Sequence, residues 1–234
     1  LLNTNSEMRM IHRILIAQIN PRGNIMNTLT SAPLAPLLNY LFELADNMAH
    51  PTNEAFHAMS DEEQNRLMQS KTDYLELYGH LKNVPLAVSR ETGKLLYMLA
   101  RSSRAQSIVE FGTSYGISTL HLAAAVRDNG GGQIITSEFE PGKVALARNH
   151  FADAGVSDLI EVRVGDALHT LSAEMPASID MLVLDGAKAI YPEILALVEP
   201  YLRPGALIVA DDADFSPEYL ARVHSGNGYM SLPF

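Results

Sequence analysis

Two rhythms divide the chain. Up to about residue 105, apolar positions recur at helical spacing. Leu34, Leu37, Leu38, Leu41, Leu44, Ala45 and Met48 fall on one face and predict a helix over 33–50, stopped by Pro51. Met8–Ile19 has similar spacing, ended by Asn20-Pro21-Arg22-Gly23. Ser60-Asp61-Glu62-Glu63 puts carboxylates in a first helical turn, and the helix it opens is expected to run to about Tyr78, with Gly79 as its stop. A further helix is expected over Arg90–Arg101.

From Ser107 the pattern changes to short apolar runs alternating with helical segments. The expected strands are Ser107–Phe111, Gln133–Ser137, Ile160–Val164, Ile179–Leu184 and Ala206–Ala210. Helices are expected between and after them at Ser118–Arg127, Pro141–Ala154, Ala167–Leu171, Tyr191–Tyr201 and Pro217–Arg222, with a last strand at Tyr229–Phe234. Ile179–Leu184 is nearly continuous in apolar residues, as a strand covered on both faces should be. This succession predicts an α/β domain with a doubly wound parallel sheet.

Composition narrows the function classes. The chain has 234 residues, 47% of them hydrophobic, with mean hydropathy +0.02, enough for one α/β domain with an appendage. A net charge of −10 and no run of Lys or Arg argue against nucleic acid as a partner. Without cysteine there is no disulfide and no thiolate metal site, which fits a cytoplasmic setting. No apolar run reaches the roughly 18 residues of a membrane span, so no membrane partner is expected. The chain opens on Leu1 and stops at Leu232-Pro233-Phe234, as expected of a sequence trimmed at one or both ends.

Chemistry concentrates where the expected strands end. Ile108-Val109-Glu110-Phe111-Gly112-Thr113-Ser114-Tyr115-Gly116-Ile117-Ser118 is a strand, a glycine turn and a helix start, the entrance to a nucleotide-type pocket. A dinucleotide fingerprint reads G-x-G-x-x-G, whereas this stretch reads E-x-G-x-x-x-G. A carboxylate beside the turn would repel a pyrophosphate and suits a ligand with a cationic end, such as an amino-acid moiety. Each later strand also closes on an acid: Glu138 (with Glu140 beyond it), Asp166, Asp185, and Asp211 with Asp212. Capping of the following helices accounts for any one of these more readily than for all five. Glu138 stands where a carboxylate accepts hydrogen bonds from ribose hydroxyls, and Asp166, with Ala167, is placed for the adenine end.

Over about residues 83–234 this set resembles the class I S-adenosylmethionine-dependent methyltransferases. Asp185-Gly186-Ala187-Lys188-Ala189-Ile190-Tyr191 and the later Asp211-Asp212 resemble the catechol and caffeoyl-CoA O-methyltransferases in particular. The resemblance implies a doubly wound, mostly parallel sheet of seven-stranded type, with residues 1–82 as an N-terminal helical extension serving as lid or dimer interface. It implies S-adenosylmethionine as cofactor, a small aromatic or natural-product hydroxyl as acceptor, and a homodimer. It further implies a divalent cation (Mg²⁺, or Ca²⁺ or Mn²⁺) on Asp185, Asp211 and Asp212, with Lys188 as general base. Asp212 replaces the family's Asn. Val88 and Ser89 would touch the cofactor's methionine end, as would Ser114, Tyr115 and Ser118 from the glycine turn, while Glu110, Gly112 and Asp185 would hold its amino-acid portion. The rival readings are a metal-independent N- or O-methyltransferase of the same fold, a nicotinamide-dependent oxidoreductase, and a non-catalytic binding protein. The histidines (among them His121, His150, His169 and His224) and the N-terminal methionines are not expected in the chemistry.

Overall fold

A computed structural model describes residues 27–48, 59–226 and 228–233. The expected helix Met8–Ile19 lies outside them. Five strands form one sheet: β1 (Ser107–Phe111), β2 (Gln133–Glu138), β3 (Ile160–Val164), β4 (Ile179–Leu184) and β5 (Leu202–Ala210). Their order is β3-β2-β1-β4-β5 and every pair is parallel. The chain therefore winds outward from β1 in one direction and resumes at β4 in the other. That reversal leaves a crevice at the carboxyl ends of β1 and β4, the general ligand position in such sheets.

Alternate residues of each central strand feed two cores. On one face Ile108, Ile134, Met181 and Val183 meet α1 (Leu34–Met48), α4 (Arg90–Ser102), α5 (Ile117–Asp128) and α6 (Pro141–Asp153). On the other, Val109, Phe111, Ile135, Leu182 and Leu184 meet α7 (Ala167–Thr170), α8 (Tyr191–Val198) and α9 (Pro217–His224). Helix α5 is buried along almost its whole length, which its Ala-rich sequence permits by letting neighbours approach closely. Near the amino ends of the strands Asp180 ties three of them together. Its carboxylate accepts the Gln106 and Ser107 N–H groups at 2.8 and 2.9 Å and the Arg203 Nε–H at 2.5 Å.

The structure corrects three expectations. The sheet has five strands among the described residues, not seven. The segment 229–233 is not a strand: Tyr229 packs against the second core, and its hydroxyl donates to Glu199. The single helix expected over 60–78 is two, α2 (Asp61–Gln69) and α3 (Tyr74–His80). Ser70 breaks it, because its Oγ accepts the N–H groups of Thr72 and Asp73 at 3.3 and 2.9 Å and so replaces the helical bonds. Among the described residues no helix is long and apolar enough to cross a membrane.

The segment leading into α1 is anchored by one carboxylate. Asp128, at the end of α5, accepts the Thr28 N–H at 3.1 Å, the Thr28 hydroxyl at 2.6 Å and the Tyr97 hydroxyl at 2.8 Å. Replacing Asp128 by Ala strands three donors, a loss of about 2 kcal/mol. Thermal unfolding of Asp128→Ala should begin its midpoint shift there, falling by about 4–8 °C; an unchanged midpoint would show that this anchor contributes nothing.

Candidate functional site

The crevice is shaped by the glycine turn after β1. The Phe111 carbonyl accepts the Asp185 N–H at 2.8 Å, so the chain beyond β1 runs against the chain beyond β4. Gly112 has φ +103°, and a Cβ there would stand 2.4 Å from the Asp185 carbonyl oxygen. No other residue fits this contact. Gly116, with φ +85°, starts α5, and a Cβ on it would meet the Phe151 ring at 2.5 Å.

A partly open cavity lies at this point. One wall is Phe111, Gly112 and Ser114, continued by Asp185, Gly186 and Ala187. The opposite end is Ser137, Glu138, Phe139 and Lys143 with Gly165 and Ala167. Tyr74, Leu75 and Tyr78 of α3, with Leu86, complete the lining. Helix α3 is held down by the Tyr74 hydroxyl, which donates to Asp166 Oδ1 at 2.6 Å, and by the Tyr78 hydroxyl on the Gly186 carbonyl at 3.4 Å. Just before it, Lys71 bridges Glu193 and Glu218 at 2.8 and 2.5 Å.

Glu138 is the best-held polar group in the cavity wall. Its Oε2 accepts the Ser114 N–H at 2.9 Å, and its Oε1 accepts the Phe139 and Glu140 N–H groups at 3.0 Å each. Three backbone donors fix the carboxylate and leave it capacity for one more partner. The Ser114 N–H comes from a residue at φ +47°, whose Oγ in turn accepts the Leu86 N–H at 3.1 Å. Ser114, Gly112, Glu138, Ala167 and Asp185 are thus brought to one cavity.

Other expected contacts are placed elsewhere. Glu110 is fully buried below the turn and does not line the cavity. Its Oε2 accepts the Thr119 and Thr136 hydroxyls at 2.5 and 2.7 Å, while its Oε1 is buried without a partner. Burial pushes its carboxyl above the usual range, against the pull of the Thr119, Thr136 and Ser118 hydroxyls. Ser118 therefore serves Glu110 rather than the cavity. Val88 belongs to the first core, and Ser89 caps α4, accepting the Thr92 N–H at 3.0 Å. Tyr115 is packed, its hydroxyl donating to the Asn83 carbonyl at 3.4 Å. Asp166 caps α7 through the Leu168 N–H at 3.0 Å while holding Tyr74, so here the capping reading is correct. His121 is a core residue against Gly93, its Nδ1 2.8 Å from the Ile117 carbonyl.

Beyond β4, Asp185 and Lys188 are 3.4 Å apart, and Lys188 Nζ is also 3.6 Å from Asp211 Oδ2. Burial drives the Asp185 carboxyl up to about 8, opposed by Lys188 and reinforced by the Asp211 and Glu110 charges. Tyr191 fixes the two strand ends from behind, its hydroxyl lying 2.8 Å from the Leu184 carbonyl and 2.9 Å from the Asp211 carbonyl. Asp212 sits at φ +49°, a left-handed conformation that aspartate tolerates better than most residues. Among the described residues no three acids or histidines converge as a metal centre. The Lys188 ammonium instead lies between Asp185 and Asp211.

Sequence reasoning missed Tyr74, Tyr78, Phe139 and Lys143 in the wall. Phe139 follows Glu138 directly, which was a usable signal. The others sit on helices whose sequence reads equally well as packing or solvated surface.

A family described as "Methyltransferase domain" matches residues 109–213, from the middle of β1 to just past β5. A catechol O-methyltransferase from Niastella koreensis is 36% identical over 130 residues, covering 54% of this chain and 58% of its own. A catechol O-methyltransferase from Mycobacterium tuberculosis is 35% identical over 127 residues, 54% of this chain and 57% of its own. This chain therefore spans little more than half the length of these curated relatives. The crystal structure of the O-methyltransferase TomG from Streptomyces achromogenes, in complex with S-adenosylmethionine, superposes with a TM-score of 0.53 at 29% identity, covering 78% of this chain and 82% of that one. The resemblance read from the motifs holds in both sequence and fold.

The buried Glu110 generates a pH prediction. A carboxyl raised on folding stabilises fully below its unfolded value, about pH 4, and loses that contribution as pH rises through the folded value. The midpoint of the native protein should therefore fall relative to that of Glu110→Gln as pH is raised from that unfolded value to neutrality. A difference that stays constant over this range would contradict the assignment.

Proposed function

We propose that this chain is an S-adenosylmethionine-dependent O-methyltransferase acting on a hydroxyl of a small, catechol-like aromatic acceptor. The observation that carries the reading is the cavity beside the Gly112–Asp185 crossing, with Glu138 pinned in its wall by three backbone amides. A carboxylate fixed in that way is suited to ribose hydroxyls, and the bare Gly165 and the Ala167 leave room for a flat base. The methionine portion would lie along Gly112 and Ser114, which directs the sulfonium methyl towards Asp185 and Lys188. The tyrosines of α3 line it on the side of that helix.

Methyl transfer is in-line attack by the acceptor oxygen. The new O–C bond forms as the C–S bond breaks, its electron pair returns to sulfur, and the hydroxyl proton needs a base. Lys188 Nζ is the group placed to take it, in its neutral form, with Asp185 positioning it through the 3.4 Å contact. Alignment in the cavity supplies much of the remaining rate.

The carboxylates of Asp185, Asp211 and Asp212 stand at the ends of adjacent strands and have the hard oxygen donors that Mg²⁺, Ca²⁺ or Mn²⁺ prefer. A cation held there would supply Lewis-acid polarisation of the acceptor hydroxyl. With the carboxylates so engaged, Lys188 would be freed of its contacts with Asp185 and Asp211 and could take the proton. A metal-independent transferase is the second reading, favoured by Lys188 already bridging Asp185 and Asp211.

The test is transfer of labelled methyl from S-adenosylmethionine to a catechol such as caffeate, with Mg²⁺ and with EDTA. Methylation that requires Mg²⁺, and a kcat reduced about 10²- to 10⁴-fold in Lys188→Met, is expected. Methylation indifferent to EDTA selects the second reading. No transfer to any hydroxylated aromatic, together with no binding of S-adenosylhomocysteine, would overturn both.

A further inference from the structure

We propose that Lys143 is a ligand-contact residue that, paired with Glu138, brackets the vicinal diol of a nucleoside. Glu138 accepts one of the diol's protons, and the Lys143 ammonium donates to the diol's oxygens. This rests on the cavity taking an adenosine thioether.

Lys143 occupies the first turn of α6, directly after the cap that Glu140 makes on its own N–H at 2.7 Å. It is 3% exposed and forms part of the cavity wall. Among the described residues its side chain makes no ion pair and no hydrogen bond. Lysines are almost never buried in this way unless paired, since an uncompensated ammonium inside a protein costs several kcal/mol. Surface lysines usually escape that cost by extending the ammonium into bulk water; at 3% exposure the side chain has only the cavity to open into. Burial pulls its amine below the ordinary lysine value, while the charges of Glu138 and Glu140 hold it up. These two carboxylates face it without reaching ion-pair distance, so a gap separates donor from acceptor.

A ribose diol fits that gap chemically. Each hydroxyl has one proton to give and lone pairs to receive. Glu138 has three of its acceptor sites filled by backbone and remains open on the cavity side. Lys143 has donors only. An acidic group in place of the diol would be repelled by Glu138, and a simple amine would be repelled by Lys143. The pair therefore selects a neutral group that both donates and accepts. Ser137, beside Glu138 in the same wall, has a buried Oγ with no protein partner, a second polar atom awaiting a ligand. Helical sequence reading hides this residue, because a lysine three positions past a glutamate cap looks like a solvated charge.

The experiment is calorimetric titration of the whole chain and its Lys143→Met and Lys143→Gln variants. The ligands are S-adenosylhomocysteine and its 2′-deoxy and 3′-deoxy analogues, and the unfolding midpoint of each unliganded protein is recorded. Expected is about tenfold weaker binding of S-adenosylhomocysteine to Lys143→Met, a smaller loss in Lys143→Gln, which keeps a donor, and no fall in the unliganded midpoint. At least one deoxy analogue should bind weakly to the native protein and lose nothing further in Lys143→Met. Equal affinity in all three proteins, or an equal loss for all ligands, overturns the role of Lys143 while leaving the cofactor reading intact. A native protein that does not bind S-adenosylhomocysteine overturns both.

Discussion

Everything in the site depends on one backbone approach, the passage of Gly112 against Asp185. The Phe111 carbonyl bonds the Asp185 N–H at 2.8 Å, and only a residue without Cβ can follow Phe111 there. This crossing sets the β1 turn and the β4 turn side by side at the point where the sheet reverses direction. The turn then delivers the Ser114 N–H to Glu138, so the same constraint that opens the cavity also fixes its principal acceptor. Gly186, against the face of Phe111, completes the crossing from the β4 side. A cavity framed by backbone in this way is preorganised, since little conformational entropy remains to be lost on binding.

The alternation of apolar runs and helices was sufficient to recover all five strands, four within one residue of their bounds. Buried parallel strands are continuous in apolar residues, and their helices carry glycine stops and acidic caps. Three things escaped it. The break at Ser70 arises from a side chain competing with helical hydrogen bonds, which periodicity does not register. The stretch after Tyr229 has strand-like composition but no neighbouring edge that it joins; its tyrosine hydroxyl goes to Glu199 instead. The upstream limit of β5 falls at Leu202, because Arg203 and Pro204 hide a strand whose first residues are tied to β4 through Arg203 and Asp180.

Site residues were legible where the backbone dictates them and illegible where direction decides. Gly112 and Glu138 follow from strand ends and turn chemistry. Glu110 shares the same strand end yet faces inward, because alternation along β1 sends it beneath the turn to Thr119 and Thr136. Asp166 stands at the right end of β3, and its carboxylate is divided between a helix cap and Tyr74. Lys143 and the α3 tyrosines reach the cavity through tertiary packing alone. The cavity wall thus holds a buried lysine, Lys143, and a partly buried carboxylate, Asp185, with the buried Glu110 beneath the turn, an arrangement that favours ligand chemistry over stability.

The central claim is that this crossing and Glu138 form one nucleoside-thioether cavity. Amide hydrogen exchange with and without S-adenosylhomocysteine tests it most directly. The account predicts slower exchange at 111–116, 137–143, 165–168 and 185–188 together, with little change along the amino ends of the strands. Protection confined to other segments, or an exchange pattern untouched by saturating ligand, would contradict it.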